Sequence, residues 1–300
     1  MLSKFSEDEL IHKIRVKYEL TQHKNHENLH HIKTVYETKL SARLDGGQRI
    51  GLVVMHHGVK VAIAKAKEHG MSIVTMNNYS SPSGALGYWS KQICDEGLIG
   101  IVMGNCPEYV APYGSYEPIF GTNPLSIGVP TSSRPQILDM ATSASAYYGL
   151  VIAAEKGEKI PLNVAYDAEG NETDDPMKAL KGALQVFDRS FKGSHLALMV
   201  ELLAGALPGA SMSEKKQNKN WGSTIIAIDP ALICPLSEFQ ERADEMCNRV
   251  SNAKVLPGSK GARIYLPGER GDELCQRNTE KGSVTLDGTM HEKLLLLAKK

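Results

Sequence analysis

The chain has 300 residues, 42% of them hydrophobic, and its 34 Lys plus Arg are balanced by 34 Asp plus Glu. Zero net charge excludes a global field that would recruit nucleic acid or an anionic membrane surface, and the apolar runs are too short and interrupted to span a bilayer. Five scattered cysteines without a CxxC pair speak against zinc ribbons and redox dithiols, and read as the reduced thiols of a cytoplasmic protein.

The opening MLSKFSEDELIHK is charged and lacks a signal-peptide core. Over the polar first forty residues, His23, His26 and His30 fall on one helical face. No further ligand completes a known pattern, so a solvated helix is the simpler reading and no metal is expected. From Met55 to His69 the periodicity is helical, with Val59, Ile63 and Ala66 on one face, and Gly70 sits where a helix stops. Ser72–Met76 reads as a strand, Ala85–Cys94 as a helix and Leu98–Met103 as a fully buried strand. That alternation predicts an α/β sheet.

Residues 119–143, IFGTNPLSIGVPTSSRPQILDMATS, are the most informative stretch. Leu125–Val129 and Ile137–Met140 read as buried strands, and Gly121-Thr122-Asn123-Pro124 is turn chemistry. Asp139–Ser143 runs from a strand end into an N-cap and then into apolar Ala146–Ala154. The carboxyl end of a strand that feeds a helix is where open α/β sheets hold ligands.

Further on, Asp174-Asp175 precede Pro176, which suits helix capping better than acid/base work. His195–Ala206 is apolar nearly all round and is expected to be buried. Trp221–Ile228 and Arg263–Leu266 read as strands, Pro235–Val250 as an amphipathic helix, Met290–Ala298 as a terminal helix and Ser211–Lys219 as a surface loop.

No GxGxxG follows a strand, and neither a P-loop nor a GxSxG elbow occurs. The best anion site is Phe191-Lys192-Gly193-Ser194, where free amides, the helix dipole and the Lys192 ammonium favour phosphate or carboxylate. The alternative is that Lys192 only solvates a helix start. In Leu266-Pro267-Gly268-Glu269-Arg270-Gly271, Arg270 offers a planar fork for phosphate or ribose oxygens, against the plainer reading of a surface turn. His195, in the first turn past Lys192, is either a neutral catalytic imidazole or a hydrogen-bonded structural one.

The segments IAKAKEHGMSIV, GLIGIVMGNCPEYVAPYGSYEPIFGTNPLSIGVP, LDMATS, GEKIP, NETDDP, KGSHLALMVELLAGALPGA and RIYLPGER stand in unbroken order from about residue 33 to the C-terminus. As a set they resemble the malate/L-lactate dehydrogenase family of nicotinamide oxidoreductases. The resemblance implies an α/β, non-Rossmann dinucleotide-binding fold with a mixed central sheet, flanking helices and a smaller helical part from both termini. On that reading residues 1–70 with 235–300 form the helical, dimerising part, and 71–234 hold the cofactor. It also implies a cytoplasmic homodimer that exchanges hydride between NAD or NADP and a small 2-oxo or 2-hydroxy acid. Carried across by motif, cofactor contacts fall on Cys106, on Asp139, Met140 and Ala141, on Lys192, and on Gly268, Glu269 and Arg270; the acidic Glu269 leans towards NAD.

The chain departs from that pattern in places that matter. The family's Ser-His-Gly segment is not found near the N-terminus, and His57-Gly58-Val59 imitates it only locally. The family's proton-transferring His follows the SIVTM strand; here Ser81 or Pro82 takes its place, and neither exchanges a proton near neutral pH. Leu162-Asn163-Val164-Ala165 replaces a Gly-Trp-Ala, Asp188-Arg189-Ser190-Phe191 replaces a glycine-rich approach to Lys192, and His195 replaces a glycine. Two expectations follow: an active oxidoreductase with a relocated proton donor, for which His195 is the candidate, or a catalytically impaired relative that keeps the fold and acts as a binding or interaction protein. A truncated or alternatively started form of an active enzyme is a third.

Overall fold

The computed structural model describes residues 31–211, 220–258 and 263–283. The histidine face at His23–His30, most of the Ser211–Lys219 loop and the helix expected at Met290–Ala298 lie outside the described residues. The chain divides into two compact units, Met1–Asp244 and Glu245–Lys300.

The first unit is built on strands β1 (Lys33–Glu37), β2 (Ser41–Asp45), β3 (Met71–Tyr79), β4 (Ile99–Gly104), β5 (Leu125–Val129), β6 (Gln136–Met140) and β9 (Trp221–Ile228). They form one seven-stranded sheet in the order β1-β2-β3-β9-β4-β5-β6. Only β2 and β3 pair in parallel and every other neighbour is antiparallel, so the sheet is mixed, as expected. β1 and β2 carry no sequence signal that set them apart from the polar segment before them.

Alternation along the central strands explains the layering. Val102 of β4 and Ile225 and Ala227 of β9 face a core with Val54, Met55, Val59 and Ala62 of α1 (Gly51–His69) and with Trp89 and Ile93 of α2 (Leu86–Asp95). Ile101, Met103 and Ile226 face the other way, against Val200 and Ala204. Strands covered on both faces read as unbroken apolar runs, which is how LIGIVM and STIIAI stand in the sequence. α1 lies close on the sheet at Gly58, where a Cβ would come within 2.2 Å of Met76 Sδ. It stops at Gly70, whose φ of +87° sends its N–H to Ala66 O.

A smaller apolar cluster surrounds the two-stranded ribbon β7 (Ala165–Tyr166) and β8 (Ala183–Leu184). It includes Leu150 and Ala153 of α3 (Tyr147–Lys156), Ala179 of α4 (Pro176–Ala179) and Ala197 of α5 (Phe191–Glu201). Asp175 caps α4, its carboxylate accepting from Met177 N at 2.8 Å. α5 continues into a π-helical turn at Leu202–Ala206. α6 (Leu236–Ser251) and α7 (Glu269–Lys281) complete the described elements.

Four local expectations are corrected. Ile137–Met140 is not fully buried, because β6 is an edge strand that pairs only with β5 and leaves Leu138 and Asp139 exposed. α3 begins later than the DMATS motif suggested, with Ala146 at its N-cap and no side-chain acceptor; Thr142 and Ser143 bond elsewhere. The His195–Ala206 helix is buried on one side only, and Leu198, Met199, Leu202 and Leu203 stand exposed on the other. Arg263–Leu266 is not a strand. Its side chains turn to α7 instead: Arg263 pairs with Glu269 and Glu273, and the Arg263 and Arg270 guanidiniums each stand 4.5 Å from the Tyr265 ring centre.

Candidate functional site

The strand directions bring the carboxyl ends of β2, β3, β4 and β6 and the starts of β5 and β9 to one end of the sheet. Registers fix this: Leu125 pairs with both Met103 and Met140, and Ser223 with both Gly104 and Met76. Cys106, the Gly121–Pro124 turn and Asp139–Thr142 meet here. Thr142 Oγ1 donates to Thr122 O and Asn123 O, each at 3.1 Å, and Thr122 Oγ1 donates to Cys106 Sγ at 3.6 Å. Burial pushes the Cys106 thiol up to about 11, against opposing hydrogen bonds from Thr122 and Asn123, so it is not a thiolate at neutral pH.

Asp139 is engaged by the fold. Its Oδ2 accepts Gly87 N at 2.8 Å, capping the first turn of α2 from across the sheet edge. Desolvation raises its carboxyl although that amide works the other way.

The start of α5 adjoins the strand tip, because Ser143 bridges Val186 and Phe187 N donates to Thr142 O at 2.9 Å. The two sequence-level candidates, the β6 tip and the Lys192 segment, therefore lie side by side. The free amides expected at α5 are not free. Asp188 Oδ1 accepts Ser190 N at 3.1 Å and Gly193 N at 3.0 Å, Ser190 Oγ donates to Asp188 Oδ2, and Lys192 N donates to Ser190 Oγ at 3.2 Å. Lys192 is exposed and makes no ion pair among the described residues. His195 is also exposed, its ring centre 5.5 Å from that of Phe191.

After β3, Ser81 is buried and its Oγ accepts Gly51 N at 2.9 Å, so it caps α1. That bond starts α1 four residues before Met55. Pro82, next to it, is exposed. In the second unit Gly268 has φ of +83° at the N-cap of α7. The carboxylate of Glu269 takes Arg263 at 2.7 Å and Leu266 N at 2.9 Å.

Sequence reasoning missed the buried carboxylate of Glu201, at 8% exposure the last residue of α5. Its Oε2 accepts from Asn123 Nδ2 at 2.7 Å and its Oε1 from Asn105 Nδ2 at 3.4 Å, while Asn105 Oδ1 accepts Gly222 N at 2.6 Å. Burial raises its carboxyl, opposed by both amides and by Gly121 N–H. One acid amid the apolar run LALMVELLAGA was the available signal. The cluster ties the Gly121–Pro124 turn, the end of β4 and the start of β9 to α5, where the helix widens into its π turn, a geometry common at functional sites.

Residues 11–295 match the model of a family described as malate/L-lactate dehydrogenase. The chain is 36% identical over 269 residues to a malate/(S)-sulfolactate dehydrogenase of Methanothermus fervidus, covering 87% of this chain and 76% of the relative. It is 34% identical over 264 residues to a Δ1-pyrroline-2-carboxylate reductase of Burkholderia ambifaria, covering 85% and 74%. Among solved structures, the malate dehydrogenase of Entamoeba histolytica superposes with a TM-score of 0.86 at 28% identity, over 95% of this chain and 84% of that one. The sulfolactate dehydrogenase of Methanocaldococcus jannaschii gives 0.82 at 30% identity, over 95% and 83%.

Proposed function

The chain belongs to the malate/L-lactate dehydrogenase family, and from that premise we propose that it is an oxidoreductase that moves hydride between NAD or NADP and a small 2-oxo or 2-hydroxy acid. The observation that carries this reading is the extent of the family match, which runs through every motif gathered at the sheet end. Malate and sulfolactate are 2-hydroxy acids and pyrroline-2-carboxylate is a cyclic imino acid. A carboxylate beside a carbon that gains or loses hydride is common to all three.

The cofactor contacts of this reading are Cys106, Asp139, Met140, Ala141, Lys192, Gly268, Glu269 and Arg270. As the side chains stand, the start of α5 does not fit a dinucleotide phosphate, because Asp188 holds the amides of Ser190 and Gly193. Lys192 still offers its ammonium at the same place. His195 is the proton donor of this reading. Its removal in His195→Ala then lowers 2-oxo-acid reduction by about a hundred- to ten-thousand-fold. An unchanged stopped-flow rate of NADH oxidation sinks that role.

A second reading, a catalytically impaired member that binds rather than turns over, is favoured by Ser81 and Pro82. Where the resemblance implies an imidazole, Ser81 serves as a helix cap and Pro82 carries no proton. An NADH fluorescence titration followed by mixing with a panel of 2-oxo acids separates the two readings. Binding without turnover supports the second, and turnover excludes it.

A cytoplasmic homodimer completes the proposal. Support for self-association comes from exposed Leu198, Met199, Leu202, Leu203 and Leu207, an apolar face of α5 and its π turn that solvent would otherwise meet. Leu203→Arg is expected to convert a dimer into monomers, read as a halved mass by light scattering. A wild-type chain that is monomeric at micromolar concentration removes the dimer from the proposal.

A further inference from the structure

Asp188 occupies the one place in the first unit where the sequence predicts that an external anion binds. Its Oδ1 accepts two main-chain amides, Ser190 N at 3.1 Å and Gly193 N at 3.0 Å, and Ser190 Oγ donates to its Oδ2. The fit is close enough that a Cβ on Gly193 would stand 2.3 Å from Asp188 Oδ1. Partially positive amides at the start of an 11-residue helix are what a phosphate would seek, and a carboxylate of the chain already has them.

The loop is braced to keep that carboxylate in place. Arg189 has φ of +53°, a left-handed conformation that a non-glycine residue adopts only under restraint. Its guanidinium donates to Asn163 O at 2.7 Å and to Phe187 O, and Asn163 itself has φ of +65°. Desolvation pushes the Asp188 carboxyl upward, but the Ser190 hydroxyl and the Ser190 and Gly193 amides outweigh it and hold the group below the ordinary Asp range. It is therefore ionised at neutral pH. Asp188-Arg189-Ser190 stands where the resemblance implies a glycine-rich approach, so the anion is a property of this chain's own residues.

We infer that Asp188 is a specificity-determining residue, an internal anion that competes with the phosphate or carboxylate of an incoming ligand for the amides at the start of α5 and weakens anion binding beside Lys192. The inference rests on the reading that a dinucleotide approaches α5. It adds that this chain holds such a ligand less tightly there than its main-chain geometry would allow. Removing the charge while keeping an acceptor for the amides should release the competition without loss of fold, since Asn caps helices about as well as Asp.

The test uses the full chain and two probes, inorganic pyrophosphate and NADH, titrated calorimetrically at low salt into wild type, Asp188→Asn and Asp188→Gly, with folding checked by circular dichroism. Both variants are expected to bind pyrophosphate about ten-fold more tightly than wild type, the scale of a full charge at a helix start. Adding Lys192→Met to Asp188→Asn should abolish that gain. Folded variants whose pyrophosphate affinity equals that of wild type overturn the inference. A pyrophosphate gain in variants that never bind NADH upholds the role of Asp188 and removes the dinucleotide reading. Equal NADH binding by all three proteins, with no pyrophosphate gain, overturns the role of Asp188 and leaves the dinucleotide reading in place.

Discussion

Pro82→His is expected to raise the rate of 2-oxo-acid reduction by NADH by about a hundred- to ten-thousand-fold, the usual contribution of a positioned general acid. The substitution returns an imidazole to the loop after β3, at the sheet end where Cys106, Thr122 and Met140 also lie. Pro82 is exposed, so a larger ring there displaces no core atoms. Its neighbour is different. Ser81 is buried and accepts Gly51 N, so Ser81→His would strip α1 of its cap and is expected to cost about 1 kcal/mol or more in stability. Stopped-flow oxidation of NADH over pH 5–9 measures the effect. A gain that follows a single titration near 6.5 identifies the new imidazole as the acid. A folded Pro82→His protein as slow as its parent shows that this loop is not where the proton is delivered.

Glu201→Ala is expected to give the largest loss of stability, about 2–4 kcal/mol. Gly121 N–H and the amides of Asn105 and Asn123 lose a charged acceptor in a site closed to water, and a cavity opens beside Gly205. For a unit of this size the loss lowers Tm by roughly 5–15 °C. Glu201→Gln, the isostere of the protonated acid, should lose far less. Asn123 Oδ1, buried and without a partner, can accept from the new amide if the Asn123 side chain turns.

The two variants also differ in pH dependence. Burial raises the folded Glu201 carboxyl above its unfolded value. Stability linked to it is complete below the unfolded pKa and is lost as pH rises through the folded one. Glu201→Gln should therefore gain on wild type between pH 4.5 and 7.5, measured as urea midpoints. Parallel pH profiles for the two proteins would show that the carboxyl is not shifted.

Much of the first unit was legible because local pattern and tertiary role agree in it. α2, β4, β5 and β9 stand where apolar periodicity places them, and Gly70 ends α1 because only its positive φ suits that turn. β1 and β2 were not legible, since KTVYE and SARLD are half polar and become strands only by pairing, β1 with β2 and β2 in parallel with β3. Arg263–Leu266 failed in the opposite sense: an alternating pattern found no neighbouring strand, and its side chains went to α7. The site divides along the same line. Thr142 was expected to start a helix but instead ties the strand tip to the Thr122 turn, a bond between residues 20 apart.

The sequence by itself determined the family, the mixed α/β class and which short segments border a ligand site, because those are written in turn chemistry, apolar period and motif order. Whether the groups in those segments are free to meet a ligand was decided by the tertiary structure alone. The Asp188 carboxylate takes the α5 amides, Asp139 takes Gly87 N–H and Ser81 takes Gly51 N–H, each through a contact that no local pattern encodes. Hydrogen bonding is a competition for a few directional partners, and residues far apart in the chain enter it only once the fold has brought them together.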